Sequence, residues 1–159
     1  RVWGCDIRIY MKVLVQRVKG AKVYVEGKIV GEINQGLLLL VGIGKEDTKK
    51  EAMEIADKAV SLRIFADENQ KMNRSVIEVK GDMLAVPQFT LYASLKGQNR
   101  PYFGEAAQSE LAKSLFKYFI DQLKAFGVKK VATGEFGAYM QVETVNDGPV
   151  TILMDSSSL

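Results

Sequence analysis

Over residues 12–18 and again over 22–26, polar and apolar side chains alternate. Alternation sends successive side chains to opposite faces of a pleat, so both stretches predict antiparallel strands with one wet face. Gly27-Lys28 supplies a turn before Ile29, Val30 and Ile33, and Asn34-Gln35-Gly36 supplies the next. The pattern then changes. Residues 37–41 form a continuous apolar run of strand length, which predicts a central strand covered on both faces. Thr48 and Glu51 have capping-box spacing, and Ala52, Ile55, Ala56 and Ala59 recur at helical spacing to about Leu62. This predicts a helix with one buried side.

Residues 67–73 are polar and turn-rich, a short strand is expected over 76–79, and Gly81-Asp82 turns the chain into a second apolar run, 83–86. Proline cannot donate to a ladder, so Pro87 marks a sheet edge, a bulge or the end of pairing. A loop over 93–104 carries Lys96, Arg100 and Pro101. It leads to a long helix from about 105 to 126, with Leu111, Leu115, Phe119 and Leu123 on one face and Gly127 as its stop. Two last strands, 138–145 and 150–154, are joined by Asn146-Asp147-Gly148-Pro149 as a hairpin loop. The order of elements predicts an α+β fold, a mostly antiparallel sheet with two main helices packed on one face.

Composition narrows the chemistry. The 159 residues suit one domain, expected over 11–155, with residues 1–10 before Met11 as a leader or extension and 156–159 as a frayed tail. No apolar run approaches the roughly 20 residues that span a bilayer, and no signal peptide is legible, so a cytoplasmic protein with no membrane contact is expected. The single cysteine, Cys5, and the absence of histidine exclude a disulfide framework within the chain, a thiolate or imidazole zinc site, and Ser-His or Cys-His catalysis. No Asp/Glu cluster has the loop spacing of a calcium or magnesium site, so neither metal nor cofactor is expected. A net charge of +3 tolerates a polyanionic partner without demonstrating one.

Two segments carry polar residues that a sheet does not need. Gln88-Phe89-Thr90 reads either as a plain strand end or as a floor of backbone N–H groups and a hydroxyl facing a developing oxyanion. Asn146-Asp147-Gly148-Pro149-Val150-Thr151 reads as a turn, although proline after glycine also makes a cis peptide accessible.

Taken together, Gln88-Phe89-Thr90-Leu91 and Asn146-Asp147-Gly148-Pro149-Val150-Thr151 resemble the two signature motifs of the D-aminoacyl-tRNA deacylases, SQFTL and NxGPxT, in the right order. Val15-Gln16-Arg17-Val18, Arg63-Ile64-Phe65, Lys71-Met72-Asn73 and Arg100-Pro101-Tyr102-Phe103 are similar to the same family, so the resemblance covers nearly all of 11–154. It departs at Pro87, where the family usually has serine.

The resemblance implies hydrolysis of the ester of D-aminoacyl-tRNA, and of achiral glycyl esters as well, by a homodimer with a barrel-like assembly. In this picture Gly148-Pro149, joined by a cis bond, reaches into the partner's site and excludes L side chains, while Arg17 holds that loop. Phe89 receives the terminal adenosine, and Gln88, Thr90 and adjacent amides face the scissile carbonyl. Asn146, Thr151 and Met140 complete the implied substrate-binding set. Because an aminoacyl ester is already activated, positioning and oxyanion stabilisation can do the chemistry without the missing serine. Two other readings stand beside this one, a non-catalytic tRNA-binding module and a plain structural dimer.

Overall fold

The computed structural model describes residues 10–159, so the expected leader lies outside the described residues apart from Tyr10. The two alternating stretches at the start are one strand, β1 (Lys12–Val25). Its first half pairs antiparallel with β3 (Gly36–Gly42) and its second half with β2 (Lys28–Ile33). Along its other edge β1 carries β8 (Gln141–Asp155). β3 lies mid-sheet, as its apolar run requires, and pairs in parallel with β6 (Asp82–Pro87). β6 in turn pairs in parallel with β7 (Val131–Thr133), a three-residue strand too short to leave a sequence pattern. The sheet is therefore mixed, with three antiparallel pairings around β1 and two parallel ones.

Parallel neighbours need long crossovers. The first contains α1 (Lys49–Ser61) and the second α2 (Ser109–Ala125). α1 starts at the capping box of Thr48 and Glu51, and Ala52, Ile55, Ala56 and Ala59 are fully buried. With Leu115, Phe119 and Leu123 of α2 they cover Val13, Val15, Leu37, Leu39, Met83 and Ala85 on one sheet face. The other face buries Val18, Val23, Ile33, Leu38, Leu84 and Val86 in a second cluster. The sheet curls around that cluster into a nearly closed barrel: a Cβ on Gly31 of β2 would collide with the carbonyl of Thr133 in β7. Fully burying a side chain of this size stabilises the fold by roughly 1.5–3 kcal/mol, so two such clusters fix the curl.

Several expectations need correction. α2 starts at Ser109, not near 105, because Glu105 O accepts from Lys45 N (3.0 Å) and Ala107 N donates to Ile43 O (2.9 Å), which ties those residues, in a turn and a short bridge, to the chain just after β3. The buried stripe accordingly begins at Ala112, and Leu111 is exposed. Residues 76–79 form a turn closed by Val79 N to Ser75 O (3.2 Å) and Gly81 N to Val76 O (2.9 Å), not a strand. The polar stretch before them holds a small hairpin, β4 (Phe65–Ala66) with β5 (Met72–Arg74), organised by the Asp67 carboxylate accepting from Asn69 N and Lys71 N. Ser156–Ser158, expected as a tail, form a 3-10 turn capped by Asp155, and Ser156 N donates to Met11 O (3.0 Å). Among the described residues no helix is long and apolar enough to cross a membrane.

Candidate active site

The site begins where β6 runs out of donors. Pro87 pairs with Val41 as the last residue of the ladder, and the chain then folds into a 3-10 turn, Phe89–Tyr92, instead of continuing as a strand. Gln88 N donates to Val41 O at 2.8 Å, so that amide is already used. Phe89 and Thr90 open the turn, a position at which N–H groups have no acceptor within the helix. The Gln88 side-chain amide donates to the Thr90 hydroxyl. Tyr92 anchors the turn from below, its hydroxyl donating to Tyr10 O (2.6 Å) and Gly42 O (3.3 Å). Burial pushes the Tyr92 hydroxyl pKa up and keeps it a donor. A Cβ on Gly42 would lie 3.0 Å from the Tyr92 ring and 3.2 Å from Gln88 O, so only glycine lets the turn pack this closely on β3.

Beside this turn opens a cavity of about 480 Å³ walled by Phe89, Phe103, Phe116, Phe136, Pro87 and Met140. The rings of Phe89 and Phe103 meet edge to face at 5.0 Å and 74°. Gln88, Gln108 and Ser109 supply the only polar side chains of the lining, and none of the lining residues is ionisable. Phe103, Phe116 and Phe136 converge here from a loop, a helix and a turn. Of these, Phe136 left a local trace, an aromatic between Gly134 and Gly137 in a turn-rich stretch.

The second motif is not a hairpin loop. β8 runs straight through it, with Asn146 opposite Val18 and Thr151 opposite Gln16 of β1. Four residues, 147–150, are thereby left facing one, Arg17, and they bulge out of the ladder. Arg17 fills the space beneath: its Nε donates to Asp147 O (3.1 Å), its Nη1 to Ile64 O (2.6 Å), and the Asp147 carboxylate lies 3.6 Å from Nε. Gly148 has φ +130°, a backbone region that only glycine enters readily, and a Cβ there would lie 2.9 Å from Val150 N and 3.2 Å from Arg17 Nη2. The Gly148–Pro149 peptide bond is cis. Gln16 Nε2 stands 3.5 Å from Thr151 Oγ1, at the outer limit of a hydrogen bond.

The candidate residues thus fall into two groups within the chain. Gln88, Phe89 and Met140 line the cavity, with Thr90 bonded to Gln88 beside it. Gly148 and Pro149 in the bulge, Asn146 and Thr151 flanking it and Arg17 beneath it line none of that cavity. Among the described residues β8 pairs only with β1, and its Val142, Val145 and Leu153 are exposed. A buried carboxylate stands apart from both groups. Asp47 has its pKa pushed up to about 6 by burial, against the pull of N–H donors from Gly44 (2.6 Å) and Met11 (2.8 Å). Among the described residues no three His, Cys, Asp or Glu side chains converge as a metal site.

Comparison with known proteins adds an independent finding. Residues 14–155 match the family described as D-Tyr-tRNA(Tyr) deacylase. A curated D-aminoacyl-tRNA deacylase of Thermosipho africanus is 50% identical over 149 residues, covering 94% of this chain and 99% of its own. Another of that name, from Fusobacterium nucleatum, is 54% identical over 147 residues, covering 92% and 96%. Among solved structures, one described as c-Myc DNA Unwinding Element Binding Protein superposes with a TM-score of 0.86 at 42% identity, covering 91% of this chain and 97% of that one. A probable eukaryotic D-amino acid tRNA deacylase superposes at 0.79 with 18% identity, a likeness of fold alone.

Proposed function

The chain belongs to the D-Tyr-tRNA(Tyr) deacylase family, and from that premise we propose that it hydrolyses the ester between a D-amino acid and the terminal adenosine of tRNA. The observation that carries this reading is the cavity itself: aromatic, free of ionisable side chains, and bordered by a turn whose first amides point to no acceptor of their own. Such a pocket suits a neutral nucleoside and offers donors to an oxyanion, and it supplies no strong base or nucleophile. The reaction it supports is direct. Water adds to the ester carbonyl, the amides of Phe89 and Thr90 stabilise the tetrahedral oxyanion, and the bond to the ribose oxygen breaks as that oxygen takes up the proton. The neighbouring ribose hydroxyl of the substrate helps to activate the water, and Gln88 orients the Thr90 hydroxyl toward the reacting centre. Pro87 in place of a serine costs nothing in this scheme, because no covalent intermediate forms.

The chirality check is the part that one chain does not complete. The bulge 147–150 is a projecting shape held by Arg17, and it lies outside the cavity of its own chain. In the proposed homodimer it enters the cavity of a second copy, where the Gly148 and Pro149 carbonyls meet the α-amino group and leave no room for an L side chain. Asn146 and Thr151, the last paired residues on either side, set its direction. The edge of β8, which has no second strand partner among the described residues and exposes Val142, Val145 and Leu153, supports association through that strand. By contrast, the apolar run of β3 is covered on both faces by its own chain and lends the dimer no support. Glycyl esters, having no side chain to exclude, fit the same pocket, and the proposed work is cytoplasmic.

Release of D-tyrosine and L-tyrosine from matched charged tRNAs tests the reading. Hydrolysis of the D-ester alone, at catalytic enzyme concentration, is the expected result. Equal rates on both would remove the chirality gate, and binding without turnover would favour a non-catalytic tRNA-binding module.

A further inference from the structure

A cavity without a single ionisable side chain offers no cation to a phosphate, yet the substrate of the proposed reaction reaches it through a phosphodiester chain. A second groove, of about 570 Å³, is lined by residues that adjoin those of the first along the chain. Leu91, Tyr92 and Ala93 continue directly from Thr90 into its floor, and Tyr102 borders it one residue before Phe103 enters the cavity wall. Two cations face this groove, Lys12, whose ammonium lies 5.5 Å from the centre of the Tyr92 ring, and Lys96. The one acidic residue of its lining, Glu105, is paired with Lys45 at 3.1 Å.

The loop that forms the outer wall is built rather than loose. Ser94 and Tyr102 exchange both backbone hydrogen bonds, at 2.8 and 3.0 Å, which clasps the loop at its base. The Tyr102 ring folds back over Gly104, where a Cβ would collide with it, and yet 60% of the residue stays exposed. An aromatic ring held on one side and open on the other is a stacking platform for a base, and lysines beside it fit the adjoining phosphates. The volume falls in the range of clefts that hold small ligands, about 300–1,000 Å³.

We propose that this second groove holds the penultimate nucleotide of the tRNA 3′ strand, with its base on Tyr102 and the flanking phosphates at Lys96 and Lys12. The inference rests on the deacylase reading above and extends it from the terminal nucleoside to the strand that carries it. It assigns affinity for tRNA to the 94–104 loop and leaves the chemistry to the first cavity.

Steady-state kinetics on two substrates, D-tyrosyl-tRNA and the phosphate-free ester D-tyrosyl-adenosine, test it. Tyr102→Ala should raise KM for the tRNA about tenfold, with kcat in place, as expected for one lost base–aromatic stack. Tyr102→Phe should keep the wild-type KM. Lys96→Ala should lower the slope of log KM against log salt by about 0.7, the value for one phosphate contact on a single strand. All three variants should cleave D-tyrosyl-adenosine as wild type does. Variants indistinguishable from wild type on the tRNA, or equally impaired on both esters, overturn the inference alone. A wild-type enzyme that cleaves neither ester overturns the deacylase reading and this inference together.

Discussion

The turn after β6 and the bulge in β8 each set a proline beside polar and flexible residues, and the fold uses them in opposite senses. At the turn, Pro87 ends a buried ladder, and the following residues line a hollow in their own chain. At the bulge, Gly148-Pro149 interrupts an edge strand, and the residues stand away from that hollow on a support made by Arg17. In the proposed function the first region is the receptacle and the second the gate. Under that reading the working unit contains two chains, because each region supplies what the other lacks.

Predictions that separate the two regions can be ordered by expected size. Gly148→Ala should have the largest effect on activity, a loss of about 100-fold or more in kcat/KM, because a displacement of the bulge by about an ångström is enough for that. The added Cβ meets Val150 and Arg17 in a backbone conformation alanine avoids. Circular dichroism should still report the native fold, since the bulge is an excursion from the sheet rather than part of its core. Arg17→Ala should follow, with activity down about 30-fold, since it releases the same bulge without blocking it. Here stability should fall as well, by about 2 kcal/mol, since the side chain is only 14% exposed and donates to two carbonyls. A calorimetric Tm lowered by about 4–8 °C is the expected reading.

On the cavity side, Thr90→Ala should cost about tenfold in kcat, far below the 10⁴-fold or greater loss seen when a nucleophile is removed. Mass spectrometry of the enzyme quenched during turnover should find no aminoacyl group on Thr90. Trapping one there would contradict the direct-hydrolysis scheme.

Asp47 gives the smallest effect on activity and bears on neither region. Its folded pKa, about 6, lies above the ordinary aspartate value of 3.8, so ionising it costs stability. Its contribution is therefore fully present below about pH 4 and lost as pH rises to about 6, opposite in sign to carboxylates held low such as Glu51. Denaturation of wild type and Asp47→Asn across that window should show the difference, with the variant lacking this slope.

The sequence alone made some of this legible, and the reason differs from element to element. The run at 37–41 and the alanine stripe of α1 have one physical solution each, a two-sided strand and a one-sided helix, and both are where the pattern puts them. Asn146-Asp147-Gly148-Pro149 was not decidable in the same way. Residues that suit a hairpin turn also suit a bulge, and only the register of Asn146 and Thr151 against a single β1 strand separates the two. Residues 105–108 have helical neighbours, but hydrogen bonds to the chain just after β3 hold them in a turn and a bridge, a tertiary competition that periodicity does not register. The rest of the cavity wall was hidden for the same kind of reason. Phe103, Phe116 and Phe136 are brought together by α2 crossing over the sheet, and nothing local marks them as neighbours.

The claim that the site is made by two chains is tested most directly by complementation. A variant with a disabled cavity, Phe89→Ala with Thr90→Ala, and a variant with a disabled bulge, Gly148→Ala, are each expected to be nearly inactive on D-tyrosyl-tRNA. Unfolded and refolded together in equal amounts, they should form mixed dimers in which an intact cavity faces an intact bulge. Random pairing in a two-fold dimer restores about one quarter of the wild-type sites, so activity should recover to about that level. A mixture no more active than the two variants measured separately would contradict the account.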